Sequence, residues 1–210
     1  MLQSVTLVRD IMQTRERILT AGLALIDEHG YEAATVASIR SKAGVSNGSF
    51  FHFFDSKESL AAELFLDAIR AYHQAMLRAV HDGIGAAEGI AALVRAHISW
   101  VTTNKPQARF LFEQARAEWF EGIADALQAQ NAIYRQGLDR WRLPLVEAGH
   151  LRSISGLVFS SQVIGPAQIF CRAWLSGRDR TDPGKYAQEL VDCAVRAVVT
   201  ETTRAGRRHR

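Results

Sequence analysis

The chain has 210 residues, of which 48% are hydrophobic and 22% charged, a composition that supports a packed core and excludes a disordered chain. Its formal net charge is only +3, and residues 1–60 contain six Lys/Arg against seven Asp/Glu, so bulk charge gives no reason to expect nucleic-acid binding. Apolar residues recur at helical spacing along most of the chain and no run alternates like a strand, so we predict an all-α fold of about nine helices.

The first predicted helix begins at Thr14, a residue type that caps helix N-termini, and we expect residues 1–11 to be loose. Its apolar side chains follow helical spacing from Ile18 to Ile26, and His29-Gly30 ends it. A short connector then leads to residue 35.

Residues 35–57 predict a short helix, a tight turn and a second short helix. Thr35 can cap the first of these helices. Gly44 can adopt the positive φ that ends it, because a glycine has no Cβ to clash. Ser46 can then cap the second helix. The turn is therefore bounded on both sides by residues suited to helix ends.

The second short helix has an apolar side and a polar side. Phe50 and Phe54 lie four residues apart on the apolar side, whereas Asn47, Ser49 and His52 fall on the other. Packing alone gives these polar residues little reason to be there. A helix, a turn containing glycine and a polar-faced second helix are typical of a helix-turn-helix.

A long helix follows, from about Ser56 to Val80, and we place a domain boundary inside it. Residues 1–60 then form a helix-turn-helix domain, and residues 61–210 an all-helical second domain. Five further helices are predicted, covering residues 86–104, 106 to about 120, 124–148, 151–177 and the stretch from 182 onward.

The sequence lacks the motifs of several common catalytic, cofactor-binding and metal sites. Gly83-Ile84-Gly85 would need a third glycine at position 88, where Glu88 stands, to resemble a dinucleotide-binding loop. The chain has no P-loop, no G-x-S-x-G and no H-x-x-x-H, so we expect no enzyme, no cofactor and no metal site. Two cysteines without a secretory signal indicate a reducing cytoplasm. Residues 153–171 are uncharged, but their Ser, Gln and Pro content favours a helix buried in protein over a membrane span.

Residues 14–60 resemble the N-terminal domain of the TetR family of bacterial transcriptional regulators. The matching positions are Thr14-Arg15, Gly30-Tyr31, Thr35-Val36, Ile39, Ala43-Gly44-Val45-Ser46, Gly48-Ser49, Phe51-His52, Phe54, Ser56-Lys57-Glu58 and Leu60. The resemblance covers roughly a quarter of the chain. It implies a three-helix head, an all-α body that binds a small molecule, and a homodimer.

The resemblance implies that the second short helix enters the major groove of a double-stranded DNA operator. The residues that it assigns to DNA contact are Thr35, Ser46, Asn47, Gly48, Ser49, Phe51, His52 and Lys57. Helix N-termini offer free N–H groups to phosphates, and an asparagine pairs most favourably with adenine. Capping alone would also explain the first two of these residues.

Three positions depart from the family pattern. Phe51 stands where a tyrosine is usual, and Phe53 where a polar residue is frequent, so two hydrogen bonds to DNA are absent. Arg40 stands where a small residue is common, and the sequence leaves open whether it points to DNA or to solvent.

In the body, the resemblance implies a ligand site whose occupation moves the two heads apart. The many aromatic residues there predict an apolar or aromatic effector, although each of them also suits an ordinary core. The candidate ligand residues are Phe65, Tyr72, His97, Trp100, Phe110, Trp119, Tyr134, Trp141, Phe159 and Gln162. The family dimerises through its last two helices, and the uncharged residues 153–171 suit such an interface or, alternatively, a monomeric core.

The sequence therefore predicts a cytoplasmic, homodimeric transcriptional regulator, a repressor that binds a palindromic operator and is released by a small hydrophobic molecule. Two alternatives stay open. One is a helical small-molecule-binding protein or enzyme with a vestigial head; the other is a regulator controlled by a protein partner. The basic tail, residues 204–210, is either a solvated terminus or a nucleic-acid arm.

Overall fold

A computed structural model of the chain describes residues 2–113 and 122–200, with side chains from residue 11 onward. The all-α prediction is confirmed, because the described residues form α-helices and no strand. The helices are α1 (Leu2–His29), α2 (Val36–Ala43), α3 (Asn47–Phe53), α4 (Lys57–Arg78), α5 (Ala86–Thr103), α6 (Lys105–Glu113), α7 (Ala124–Glu147), α8 (Gly156–Val163), α9 (Gly165–Leu175) and α10 (Ala187–Val198).

The start of α1 corrects one prediction. The helix begins at Leu2, so the residues expected to be loose are helical and Thr14 lies inside the helix instead of capping it. Neither Gly nor Pro occurs between Leu2 and Thr14, so nothing in the backbone interrupts the helix there.

A second correction concerns residues 151–177, predicted as a single helix. They form α8 and α9, separated at Ile164, with Pro166 in the first turn of α9. Proline has no N–H to donate to the preceding turn, so a new helix starts there more easily than an old one continues. Before α8 the chain is not helical, and Leu151 forms an isolated antiparallel bridge with Val199.

The last predicted helix also begins later than expected. Residues Pro183–Tyr186 form a 3-10 turn, in which the Asp182 carboxylate accepts a hydrogen bond from the Gly184 N–H at 2.7 Å. The α-helix proper is α10. No helix among the described residues has the length and apolar character needed to cross a membrane.

The chain divides into two compact units, Met1–Ala68 with Pro106–Asp125, and Ile69–Lys105 with Ala126–Arg210. The division predicted at residue 60 stays a prediction. In the first unit, the core includes the fully buried Ile18, Ile39, Phe50 and Leu60. In the second, α10 packs on α5 and α8, and the fully buried side chains include Ile90, Val94, Val101 and Val198.

Candidate DNA-reading site

Local capping fixes the ends of α2. The Thr35 hydroxyl accepts a hydrogen bond from the Ser38 N–H at 3.1 Å, and the Ser38 hydroxyl accepts one from the Thr35 N–H at 3.0 Å. This reciprocal pair is a capping box. At the other end Gly44 has φ +64°, which confirms its predicted role as the C-terminal cap.

The next helix, α3, is held by one cap and one buried ring. The Ser46 hydroxyl accepts a hydrogen bond from the Ser49 N–H at 3.1 Å, which confirms the predicted cap. Phe50 is fully buried and Phe54 nearly so, with their ring centroids 5.9 Å apart. Because this side of α3 is anchored in the core, its opposite side faces outward.

Most residues predicted to contact DNA lie on the surface of the first unit. Ser49 and Lys57 are half-buried, and the exposed residues are Thr35, Ser46, Asn47, Gly48, Phe51 and His52. Phe51 leaves 45% of its surface exposed, although its ring meets that of Phe50 edge-on with centroids 5.3 Å apart. Gly48, Ser49 and His52 also line a surface concavity with Thr14 of α1.

Ser49 and Lys57 are among the residues that already have partners within the protein. The Ser49 hydroxyl lies 2.9 Å from that of Ser46. The Lys57 ammonium donates to the Tyr31 carbonyl at 3.1 Å and lies 4.2 Å from the centre of the Tyr31 ring. A phosphate contact by Lys57 would have to compete with this interaction.

Two arginines make contacts that the sequence did not predict. The contact of Arg17 was missed, and the direction of Arg40 was left open. Arg17 of α1 donates to the carbonyls of Ala43 and Gly44, the latter at 3.0 Å, and so ties α1 to the turn between α2 and α3. Arg40 of α2 donates to the Asn47 side-chain oxygen at 2.5 Å. Spacing gives no signal for the Arg17 contact, because its partners are 26 and 27 residues away.

The second unit contains a buried cluster of aromatic and imidazole rings. The Tyr72 hydroxyl lies 2.9 Å from His97 Nδ1, and the Tyr72 ring centroid is 5.1 Å from that of Trp100. His73 stacks on Tyr134 with centroids 4.3 Å apart and planes 7° from parallel. Burial raises the pKa of Tyr72, and the nearby Tyr134 adds to that rise. We call Tyr72, His73, His97, Trp100 and Tyr134 the ring cluster.

Both histidines of the ring cluster are neutral at neutral pH. His97 is 1% and His73 8% exposed, and burial lowers the pKa of each to about 4. Within the described part of the chain, His97 Nε2 and His73 Nδ1 are buried and make no hydrogen bond. A buried nitrogen without a hydrogen-bond partner is unfavourable in a core made only of packed side chains. A bound ligand with a hydrogen-bonding group would supply the missing partner.

Other predicted ligand residues form ring pairs elsewhere in the chain. In the first unit, Phe65 pairs with Phe110, and in the second, Trp141 pairs with Phe159. Gln162 is exposed and not in a buried site. Trp119 lies outside the described residues. His73 was not among the predicted ligand residues. Its position next to Tyr72, which was predicted, is the sequence signal that points to it. Groups of three or more possible metal ligands do not occur among the described residues.

Comparison with known proteins decides the family. A family model described as bacterial regulatory proteins of the tetR family matches residues 18–64, the segment that holds the caps, the turn and α3. This segment is a TetR-family DNA-binding domain. With its helix-turn-helix, the protein is a DNA-binding transcriptional regulator.

Curated relatives of this protein are regulators. The HTH-type transcriptional repressor KstR2 of Rhodococcus jostii (strain RHA1) is 29% identical over 145 residues, which cover 60% of this chain and 70% of the relative. The fatty acid metabolism regulator protein of Bacillus subtilis (strain 168) is 28% identical over 83 residues, 40% of this chain and 43% of the relative. The match to the second protein thus spans less than half of its length.

Solved structures extend the TetR likeness to most of the chain. A TetR family transcription regulator from Marinobacter aquaeolei VT8 superposes with a TM-score of 0.73 at 18% identity, covering 92% of this chain and 98% of that one. FadR from Bacillus subtilis, solved in complex with stearoyl-CoA, gives a TM-score of 0.71 at 20% identity, covering 86% and 97%. At these identities the likeness establishes the fold.

Proposed function

We propose that this protein is a cytoplasmic, dimeric repressor that binds a palindromic operator and leaves it when a small, largely apolar molecule binds its body. The construction of α3 carries the DNA-binding half of the proposal. Ser46 caps this helix and Phe50 anchors it, so Asn47, Gly48 and His52 are presented together at the surface.

The reading helix, α3, binds DNA in this proposal through the positions of its hydrogen-bonding groups and not through a net positive charge. Its N-terminal N–H groups are the natural partners of a phosphate, and the exposed Asn47 and His52 carry groups that can hydrogen-bond base edges. The exposed Phe51 has no hydroxyl for a phosphate, but its ring can contact a thymine methyl group in the major groove. A single such head makes few contacts, so we expect affinity to depend on two heads bound to two half-sites.

The proposed dimer interface lies on α8 and α9. Leu157 on α8 leaves 80% of its surface exposed and Ile169 on α9 leaves 72%, with Val158 and Ser161 exposed beside Leu157. Exposed aliphatic side chains of this size are suited to burial in an isologous two-fold interface. The predicted interface through the last two helices would also use α10, where Val191 and Val198 are buried within the chain and Leu190 and Val195 are half-buried.

The ring cluster is the proposed effector site. Its side chains are aromatic and imidazole rings, and His97 Nε2 supplies one unused hydrogen-bonding group. A neutral imidazole has no charge with which to stabilise a carboxylate, so we propose an effector that is mostly apolar and presents a neutral group such as a carbonyl or hydroxyl. The stearoyl-CoA complex of the Bacillus subtilis FadR supports an effector with a long apolar part. Such a molecule releases DNA only if it binds the DNA-incompetent conformation more tightly.

The DNA-binding half is tested by titrating labelled DNA from around the gene with full-length protein at several salt concentrations. We expect tight binding that weakens steeply as salt rises, because phosphate contacts release counterions. Asn47→Ala and His52→Ala should each weaken binding about tenfold or more. His81→Ala, an exposed histidine of the second unit, is the matched control and should bind as the wild type does. Equal binding by all four proteins would contradict α3 as the reading helix.

A further inference from the structure

A contact between the two helices of the helix-turn-helix changes what α3 offers to DNA. Arg40 of α2 donates from Nη1 to Oδ1 of Asn47, the first residue of α3. Arg40 is half-buried, and its carbonyl accepts the Val45 N–H at 3.1 Å, so the backbone that carries it is part of the turn. Asn47 itself is exposed. The guanidinium is therefore held beside the residue best placed to reach a base.

An asparagine reads adenine with both ends of its amide. Its Nδ2–H donates to N7 of the base, and its Oδ1 accepts from the amino group at N6. In this protein the oxygen already accepts from a guanidinium. An adenine amino group approaching the same oxygen would bring its N–H beside the cationic N–H groups of Arg40, donor against donor. The two-ended contact with adenine is therefore disfavoured.

Most of the free hydrogen-bonding groups of the joined side chains are donors. Arginine has five N–H donors and no acceptor. Asn47 keeps its two Nδ2–H donors, and the one lone pair left on its oxygen lies beside the guanidinium charge. In the major groove, guanine alone among the bases presents two acceptors, N7 and O6, side by side. Building on the DNA-binding function proposed above, we propose that Arg40 is a specificity-determining residue: by engaging the Asn47 oxygen it makes the start of α3 select guanine over adenine.

A purely structural role for Arg40 makes a different prediction. If Arg40 only braces α2 against α3, its removal loosens α3 and weakens binding to every DNA sequence alike. If it sets specificity, its removal frees the Asn47 oxygen, and the preferred base changes at one position in each half-site. The sequence preference, and not the affinity, separates the two roles.

The test uses full-length wild-type, Arg40→Ala and Arg40→Met proteins, with operator sequences selected from a randomised DNA library and then compared by titration. The alanine variant is the direct test, and the methionine variant keeps the apolar stem in case alanine loosens the fold. We expect wild-type half-sites to contain a G·C pair that both variants replace by A·T, with about a tenfold change in relative affinity. Lys42→Ala is the matched control: Lys42 also lies on α2, but pairs with Glu28 at 3.3 Å, and the preferred base should stay the same.

Three outcomes would overturn the proposal. A uniform loss of affinity with an unchanged base preference in both Arg40 variants would assign Arg40 a bracing role only. A wild-type half-site that already prefers A·T at every position affected by Asn47→Ala would contradict guanine reading. A wild-type protein that selects no sequence and binds no DNA would instead refute the proposed regulator function, a result that the first two outcomes do not share.

Discussion

At the scale of single residues, the two buried histidines of the ring cluster place an ionisable group where water does not reach. His97 makes its hydrogen bond through Nδ1 to the Tyr72 hydroxyl, and its other nitrogen is unused within the described chain. Protonation would put a positive charge on the His97 ring, which is 1% exposed. The neighbouring aromatic rings and the Tyr72 hydroxyl carry no negative charge that would neutralise it. The pH dependence of the body's stability and the neutral effector proposed above both follow from this arrangement.

The first prediction is that stability falls below neutral pH. The pKa of His73 and of His97 is lowered to about 4 in the folded protein, against 6.5 for a free histidine. Below about pH 6.5 the unfolded chain therefore binds protons that the folded chain does not, so the free energy of unfolding decreases as pH falls towards 4. The loss is at most about 3 kcal/mol for each histidine.

Urea unfolding at about pH 7.5 and about pH 5 measures this dependence. The double variant His73→Asn, His97→Asn should lose much less stability between the two conditions than the wild type does. The exposed His81→Asn should keep the wild-type dependence. Equal unfolding free energies of the wild type at both pH values would show that the two imidazoles are not buried as neutral groups.

Residue by residue, the sequence predicted the helix caps of α2 and α3 better than the contacts among the aromatic rings. The caps at Thr35, Gly44 and Ser46 depend on neighbours within four residues, so they can be read from a short stretch. Ligand candidates were chosen for being aromatic, and composition does not say which rings meet. Gln162 proved exposed for this reason, and His73 entered the ring cluster unpredicted.

At the scale of helices, the packing of α5 on α7 shows how a missing side chain places a ring. Gly89 of α5 is buried, and a Cβ atom built on it would lie 2.2 Å from Cζ2 of Trp141 on α7. The Trp141 indole also donates to the Ile84 carbonyl at 3.2 Å, which fixes the ring at its polar end. Trp141, predicted to line a ligand site, also fills the contact between two helices.

The second prediction follows from this close approach. Gly89→Ala favours the helix by about 1 kcal/mol but forces a methyl group into a rigid, hydrogen-bonded ring. We expect net destabilisation of about 1–3 kcal/mol, because overpacking of this kind displaces the ring or the helix. Gly85→Ala, at the N-terminal cap of the same helix, meets nothing within 4 Å and should change stability by a few tenths of a kcal/mol.

Thermal and urea unfolding of both variants measure the difference. Near-ultraviolet circular dichroism should change for Gly89→Ala and stay the same for Gly85→Ala, since only the former displaces an aromatic ring. A Gly89→Ala protein more stable than the wild type would show that helix propensity outweighs the contact and that Trp141 has room to move.

Helix boundaries also show where sequence reasoning ends. The helices predicted over residues 124–148 and 151–177 each contain a proline, and the prediction of one continuous helix is wrong for the second. Pro144 lies inside α7, whereas Pro166 opens α9. Both prolines lack the same N–H, so the outcome depends on what the freed carbonyls and neighbouring helices contact. That information belongs to the tertiary structure and not to the local sequence.

At the scale of the whole molecule, the proposed regulator needs two copies. One α3 reaches only a few base pairs, and a palindromic operator is recognised when two heads meet half-sites about one DNA turn apart. In the proposed dimer, an effector that changes the separation of the two heads releases both of them from DNA. Dimer formation is therefore a condition for DNA binding, and the surface that forms the dimer can be tested by itself.

The last prediction places that surface on α8. Leu157 and Ser161 are exposed one turn apart on this helix, and Leu157→Arg or Ser161→Arg would put a cation on a face proposed to be buried. In a two-fold interface each substitution occurs twice and two like charges meet near the axis, so the dimer should dissociate at concentrations where the wild type is intact. Light scattering should give half the wild-type mass, and operator affinity should fall with it while the circular dichroism spectrum is unchanged.

Ile133→Arg on α7, where the isoleucine is 59% exposed, is the control and should stay dimeric. A full dimer mass for both α8 variants would exclude this helix from the interface, whereas a monomeric wild type that still binds its operator tightly would show that one head suffices.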